Sequence, residues 1–131
     1  MFRFVCAALC AAFVTFVPGR ALAAYPEKAI RLLIPFPPGG GTDILARGLL
    51  DQLEAALGTS VIIDNRGGAG GTLGCTLAAR AAPDGYTLLL TSASYTFAPG
   101  LYKDLAYDAV NDLRPITNFA QAPLIPERHV R

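Results

Sequence analysis

Along the chain, apolar runs of strand length alternate with stretches of helical period. Ile30–Phe36 (IRLLIPF) is a near-continuous apolar run, as expected of a parallel strand covered on both faces. The segment Pro35-Phe36-Pro37-Pro38-Gly39-Gly40-Gly41 then suits neither strand nor helix. From Thr42 to Leu57 the period is helical. Leu45, Leu49, Leu53 and Leu57 recur every four residues, and Ile44, Ala46 and Leu50 widen the stripe. Arg47, Asp51, Gln52 and Glu54 mark the wet face. Thr42 is read as the N-cap, Asp43 suits the positive end of the helix dipole, and Gly58 fits the C′ position. Val61–Asp64 reads as a second strand, Asn65–Gly71 as a glycine loop and Thr72–Ala82 as a second helix. Pro83-Asp84-Gly85 is a turn by composition, and Tyr86–Thr91 a third strand. A Ser/Thr/Tyr loop follows, with turns near Pro99–Tyr102 and Ala109–Leu113, and Ile116–Ala120 is a candidate fourth strand. Three successive β-loop-α units predict an α/β fold, a parallel sheet flanked by helices with right-handed crossovers.

Composition narrows the class. The chain has 131 residues, 53% of them hydrophobic, with 11 basic and 10 acidic residues and a formal net charge of +1. Such a chain is too apolar and too weakly charged to be disordered. It has no basic surplus, so no nucleic-acid partner is expected. Its length suits one small domain. Part of the apolar excess belongs to Met1–Ala23, which reads as a secretory signal peptide. Arg3 forms the positive n-region, Phe4–Val17 the apolar h-region and Ala21-Leu22-Ala23 a small-x-small cleavage site. The h-region is shorter than the roughly 20 residues of a spanning helix. Neither Cys6 nor Cys10 has the context of a lipid anchor. Cleavage leaves Cys75 as the only thiol, read as a small buried apolar residue rather than a reactive one.

In a parallel sheet the loops at the strands' carboxyl ends gather on one edge, where ligands bind. Two of those loops here are glycine-rich and run into helices. Pro37–Thr42 bares backbone N–H groups at the positive end of the first helix, an arrangement that suits an anion. For Gly67-Gly68-Ala69-Gly70-Gly71, tight turning and ligand contact are equally good explanations. The nucleotide patterns fail. There is no Gly-Lys for a phosphate-binding lysine, and the third glycine of a dinucleotide fingerprint falls at Leu73. A carboxylate needs only a few donors, and Thr42, Ser92, Ser94 and Thr96 offer hydroxyls on the same predicted edge. Catalysis has little support: the only histidine is His129, near the end of the chain, and no cluster has metal-ligand spacing. No cofactor is expected. Asp84 reads as a turn residue, whereas Asp43 is a candidate to face the cleft.

Several motifs, taken together, resemble one family. Tyr25-Pro26-Glu27-Lys28, Ile30–Asp43 (IRLLIPFPPGGGTD), Asp64–Gly71 (DNRGGAGG), Pro83–Leu89 (PDGYTLL) and Leu101-Tyr102-Lys103 through Tyr107-Asp108 are similar to the Bug family. These are extracytoplasmic solute receptors of tripartite tricarboxylate transporters. The similarity runs from about Tyr25 to about Pro123. It implies a periplasmic protein of two α/β lobes that closes on a small carboxylate and hands it to membrane transporter subunits, with no catalysis. It implies ligand contacts at Phe36, Pro38, Gly39, Gly40, Thr42 and Asp43 in the first loop, and at Ser92 and Ser94 after the third strand.

The chain departs from the family pattern at Gly67, where proline is usual, at Ala98, where asparagine is usual, and at Tyr95, a larger residue able to narrow the cleft. It is also about a third as long as the family's mature chains. Residues 24–125 are read as part of the first lobe of a type II periplasmic-binding-protein fold, and 126–131 (PERHVR) as a polar ending in place of a buried strand. The expectation is a truncated receptor without its second lobe, binding carboxylates weakly or not at all. Two alternatives stay open: a lobe completed by a partner chain, and an α/β enzyme that holds a phosphorylated substrate in the glycine loop.

Overall fold

A computed structural model of the protein describes residues 25–121. The signal peptide read over 1–23, the polar ending 126–131 and His129 lie outside the described residues. The elements are β1 (Ile30–Ile34), α1 (Gly41–Leu57), β2 (Val61–Asn65), a 3-10 turn (Ala69–Gly71), α2 (Thr72–Ala79), β3 (Thr87–Leu89) and α3 (Ser94–Leu101). The strands form one parallel sheet in the order β2-β1-β3. Ile30 stands opposite Val61 on one side of β1, and Arg31 opposite Thr87 on the other. The α/β architecture expected from the sequence is therefore present.

β1 is central, and its alternation divides the interior. Ile30, Leu32 and Ile34 point to one face, where they pack with Ala46, Leu50, Leu53 and Leu57 of α1 and with Val61 of β2. Each such side chain contributes about 1.5–3 kcal/mol on burial. On the other face lie Leu33 and Pro35, both buried, with α2 above them. Gly74 of α2 packs so closely that a Cβ there would sit 2.6 Å from Pro35 Cβ. Arg31 is the polar exception on β1. Its guanidinium meets the Asp64 carboxylate at 2.7 Å, and Arg66 meets the other oxygen of the same group at 2.8 Å. Cys75 is 2% exposed, and burial pushes its thiol pKa up, partly offset by the hydroxyls of Tyr107 and Thr91.

The structure corrects several local expectations. β1 stops at Ile34, because Pro35 has no N–H to extend the ladder. The N-cap of α1 is Gly40, not Thr42, whose side chain makes no capping bond. The buried stripe of α1 is rotated relative to the leucine repeat. Ala46 is buried while Leu45 (47% exposed) and Ile44 (63%) face outward. Gly58 does end the helix in the left-handed conformation, its N–H donating to Glu54 O at 2.8 Å. α2 ends at Ala79 rather than Ala82 and β3 is only three residues long. The Ser/Thr/Tyr loop and the turn at Pro99 are in fact one helix, α3, with Pro99 inside it. Its first turn is secured by N–H bonds from Tyr95 to Ser92 O and Thr96 to Ala93 O, and buried Ala98 anchors it. Ile116–Ala120 forms no strand: the segment is exposed and, among the described residues, makes no backbone–backbone hydrogen bond.

The close approach of Gly74 is testable. Gly74→Ala is expected to lower unfolding free energy by about 1–3 kcal/mol, because Pro35 and the Arg66 carbonyl cannot yield. Gly48→Ala, with open space around it, is expected to raise it by roughly 0.5–1 kcal/mol. Urea melts of the two variants and the parent check both signs.

Candidate ligand-binding site

The strand order places the candidate site. From β1 the chain moves to one side for β2, then returns across β1 for β3. Loops leaving β1 and β3 therefore diverge from neighbouring strands, and a crevice opens between them at the carboxyl edge. Thr42 and Ser92 face a common concavity of about 2160 Å³ there. A smaller recess of about 560 Å³ adjoins it, bounded by Ser92, Tyr95, Thr96 and residues 115–118.

The first glycine loop is shaped by a single carboxylate. Asp43 is only 2% exposed. Its Oδ2 accepts the Gly39 N–H at 2.9 Å and the Arg47 Nε–H at 2.9 Å, and its Oδ1 accepts Asn65 Nδ2–H at 3.0 Å. Asn65 also donates to Phe36 O at 3.2 Å, so β2 clamps the loop from behind. The Arg47 guanidinium, followed by the Gly39 amide, holds the Asp43 pKa down to about 2, with burial opposing and Asn65 assisting. Gly39 has φ +81, a conformation that favours glycine, and Gly40 donates a long bond (3.4 Å) to Pro37 O. Beyond them, the N–H groups of Gly41, Thr42 and Asp43 have no acceptor among the described residues. Intrahelical bonding starts only with Ile44, which donates to Gly40 O at 3.0 Å. Three amides thus remain open at the positive end of a 17-residue helix.

The second glycine loop braces the first. Gly68, Ala69, Gly70 and Gly71 all have positive φ. A Cβ on Gly67 would come within 3.2 Å of Pro37, and one on Gly71 within 3.5 Å of the Phe36 ring. The loops thus pack tightly at Gly67, whereas at Gly71 the positive φ of +96 rather than a lack of space favours glycine.

The eight sequence-derived positions do not share one surface. Thr42 and Ser92 line the concavity. Ser94 adjoins Ser92, their hydroxyls 3.1 Å apart. Phe36 is half-buried in the loop, Pro38 and Gly39 are exposed on its outer side, and Gly40 caps α1. Asp43 turns inward, its oxygens engaged by the protein. Tyr95 lines the wall beside Ser92, held by an O–H bond to Ala109 O (2.7 Å) and by stacking on Tyr107 (5.9 Å between centroids). The sequence reading missed Asn65 and Arg47 as the partners of Asp43. Their signal was slight: an amide ending β2 and an Asp-x-x-x-Arg spacing on α1. Among the described residues no group of three or more His, Cys, Asp or Glu could hold a metal.

Comparison with known proteins gives a consistent result. Residues 45–126 match the family described as tripartite tricarboxylate transporter family receptor, TctC. Protein BugT of Bordetella pertussis is 44% identical over 103 residues, 77% of this chain and 32% of BugT. A solved periplasmic transporter is 47% identical with a TM-score of 0.66, covering 72% of this chain and 32% of that one. MatC of Rhodopseudomonas palustris, solved with bound malate, is 38% identical with a TM-score of 0.61, covering 67% and 30%. The chain thus spans about a third of the length of the relatives it matches.

The brace at Asp43 has a pH signature. Its folded pKa of about 2 lies below the ordinary value of 3.8, so its stabilisation is present above about pH 4 and is lost as pH falls toward 2. Asp43→Asn is expected to lower Tm by about 5 °C or more at pH 7, with the gap to the parent closing between pH 4 and pH 2. A gap that stays constant over that range would show that the charge does not supply the brace.

Proposed function

The chain belongs to the tripartite tricarboxylate transporter receptor family, and on that premise we propose that it is a periplasmic solute-binding module for small carboxylates. One observation carries the proposal: the open N–H groups of Gly41, Thr42 and Asp43 directly follow the Gly39 and Gly40 N–H groups, which are already paired. A carboxylate oxygen accepts from these amides, and the Thr42 and Ser92 hydroxyls donate from either side of the crevice. Phe36, Pro38, Gly39 and Gly40 shape the loop, Ser94 orients Ser92, and Asp43 contributes its amide while its side chain positions the loop. The malate held by MatC, which shares the fold over this region, supports the ligand class. Delivery to membrane transporter subunits, and export by a cleaved signal peptide over residues 1–23, are parts of the same proposal. The relatives' role as receptors supports a non-catalytic reading.

Magnitudes set the affinity of this chain by itself. Each charge-assisted hydrogen bond contributes about 1.5–3 kcal/mol net. Two or three of them, less the association cost, leave about 4 kcal/mol, which is millimolar.

Malate titrated into the chain and followed by amide NMR is expected to shift Gly41, Thr42 and Asp43 with a millimolar Kd. Gly41→Pro removes one donor at a helix position that tolerates proline. Gly40 already has the extended conformation (φ −73, ψ 165) that a following proline requires, and the site of the new ring is open. This variant is expected to bind about tenfold more weakly or worse, with Tm unchanged or raised. An unperturbed Gly41–Asp43 segment at about 20 mM malate, well above that Kd, would overturn the proposal.

A further inference from the structure

Behind Ser92 lies a buried polar group that the ligand contacts do not use. Tyr107 is 7% exposed, and its hydroxyl makes no hydrogen bond of good geometry among the described residues. The same holds for the buried hydroxyl of Thr91. Both stand near the Cys75 thiol of α2 and favour its charged form. A buried hydroxyl without a full partner lowers stability rather than raising it. What Tyr107 contributes is therefore its ring, which stacks on Tyr95 with centroids 5.9 Å apart and planes 19° from parallel.

The residues after Tyr107 complete the support. The Asp108 carboxylate accepts the Val110 and Asn111 N–H groups at 2.8 and 3.1 Å and the Asn111 side-chain amide at 2.7 Å. The Asp108 N–H donates to the Asp112 carboxylate at 2.7 Å. That closed turn fixes the Ala109 carbonyl, which accepts the Tyr95 O–H at 2.7 Å. Tyr95 is thus held both at its ring face and at its hydroxyl. The start of α3 depends on this hold, because its N-cap, Ala93, offers no side-chain cap. The Tyr95 N–H in turn donates to Ser92 O at 3.1 Å, which ties Ser92 to the same support.

We infer that Tyr107 and the Asp108 turn are positioning elements for one wall of the crevice: they place Tyr95 and, through it, the Ser92 hydroxyl. Tyr107 and Asp108 do not themselves line the crevice. The inference rests on the carboxylate reading of the site. It adds the residues that hold the α3 side, as Asp43 holds the side of the first loop.

The full 131-residue chain and its Tyr107→Phe, Tyr107→Ala and Asp108→Ala variants are compared by amide NMR, first alone and then with malate. Without malate, the order parameters of the Ser92 and Tyr95 amides are expected to fall in Tyr107→Ala and Asp108→Ala. They are expected to match the parent in Tyr107→Phe, which keeps the ring. With malate, Tyr107→Ala and Asp108→Ala are expected to bind about threefold more weakly or worse. Extrapolated to saturation, their Ser92 and Tyr95 shifts shrink while those of Gly41–Asp43 persist. Asp108 is exposed, so Asp108→Ala decides the question if Tyr107→Ala does not fold. The inference is overturned if Asp108→Ala leaves the order of Ser92 and Tyr95 unchanged. It is equally overturned if Tyr107→Phe loosens them as much as Tyr107→Ala, or if the variants lose Tm with no selective change there. The first measurement uses no ligand. A parent whose Gly41–Asp43 amides ignore malate therefore sinks the carboxylate reading, whereas unchanged order at Ser92 and Tyr95 sinks this inference alone.

Discussion

A carboxylate shut away from water organises the front edge of this fold. Asp43 sits in the first turn of α1, yet its oxygens look backward and sideways rather than toward a ligand. By taking the Gly39 amide it sets where the helix starts, and by meeting Arg47 it fixes its own rotamer along the helix. Through Asn65 it ties that corner to the neighbouring strand. The loop is thereby tied to both α1 and β2, and the amides that follow are presented without partners among the described residues. A charge buried at 2% exposure would be costly alone; three donors offset it.

The two glycine loops divide the labour. The first presents donors and the second holds the first in place, with Gly67 against Pro37 and Gly71 against Phe36. Small residues there permit contact between loops as much as contact with a guest. Gly74 continues the theme inside α2, allowing the helix to lie directly on Pro35.

Much of the architecture was legible because it follows from short-range regularities. IRLLIPF announces a strand covered on both faces, Gly58 ends a helix by its freedom at positive φ, and β-loop-α alternation implies a parallel sheet. What stayed hidden depends on tertiary contacts. The leucine repeat of α1 suggested one buried stripe, but the helix meets β1 through Ala46, Leu50, Leu53 and Leu57, so Leu45 remains outside while Ala46 goes in. Pro99 signals a break, and only the anchoring of Ala98 and the N–H bonds to Ser92 O and Ala93 O keep α3 helical around it. Ile116–Ala120 has strand composition, and composition cannot supply a neighbour to pair with. For the site, the carboxyl edge of the sheet was readable from the β-loop-α alternation. The inward turn of Asp43 was not, since a first-turn aspartate most often just complements the helix dipole.

The sealing of Cys75 has a chemical corollary. A protonated thiol with almost no exposed surface is a poor nucleophile and a poor target for oxidants, so it stays inert while the domain is closed. Any copy that opens, however briefly, releases this sulfhydryl into its surroundings. Under oxidising conditions that copy is captured as an intermolecular cross-link, which turns transient breathing of α2 into a covalent record of failure.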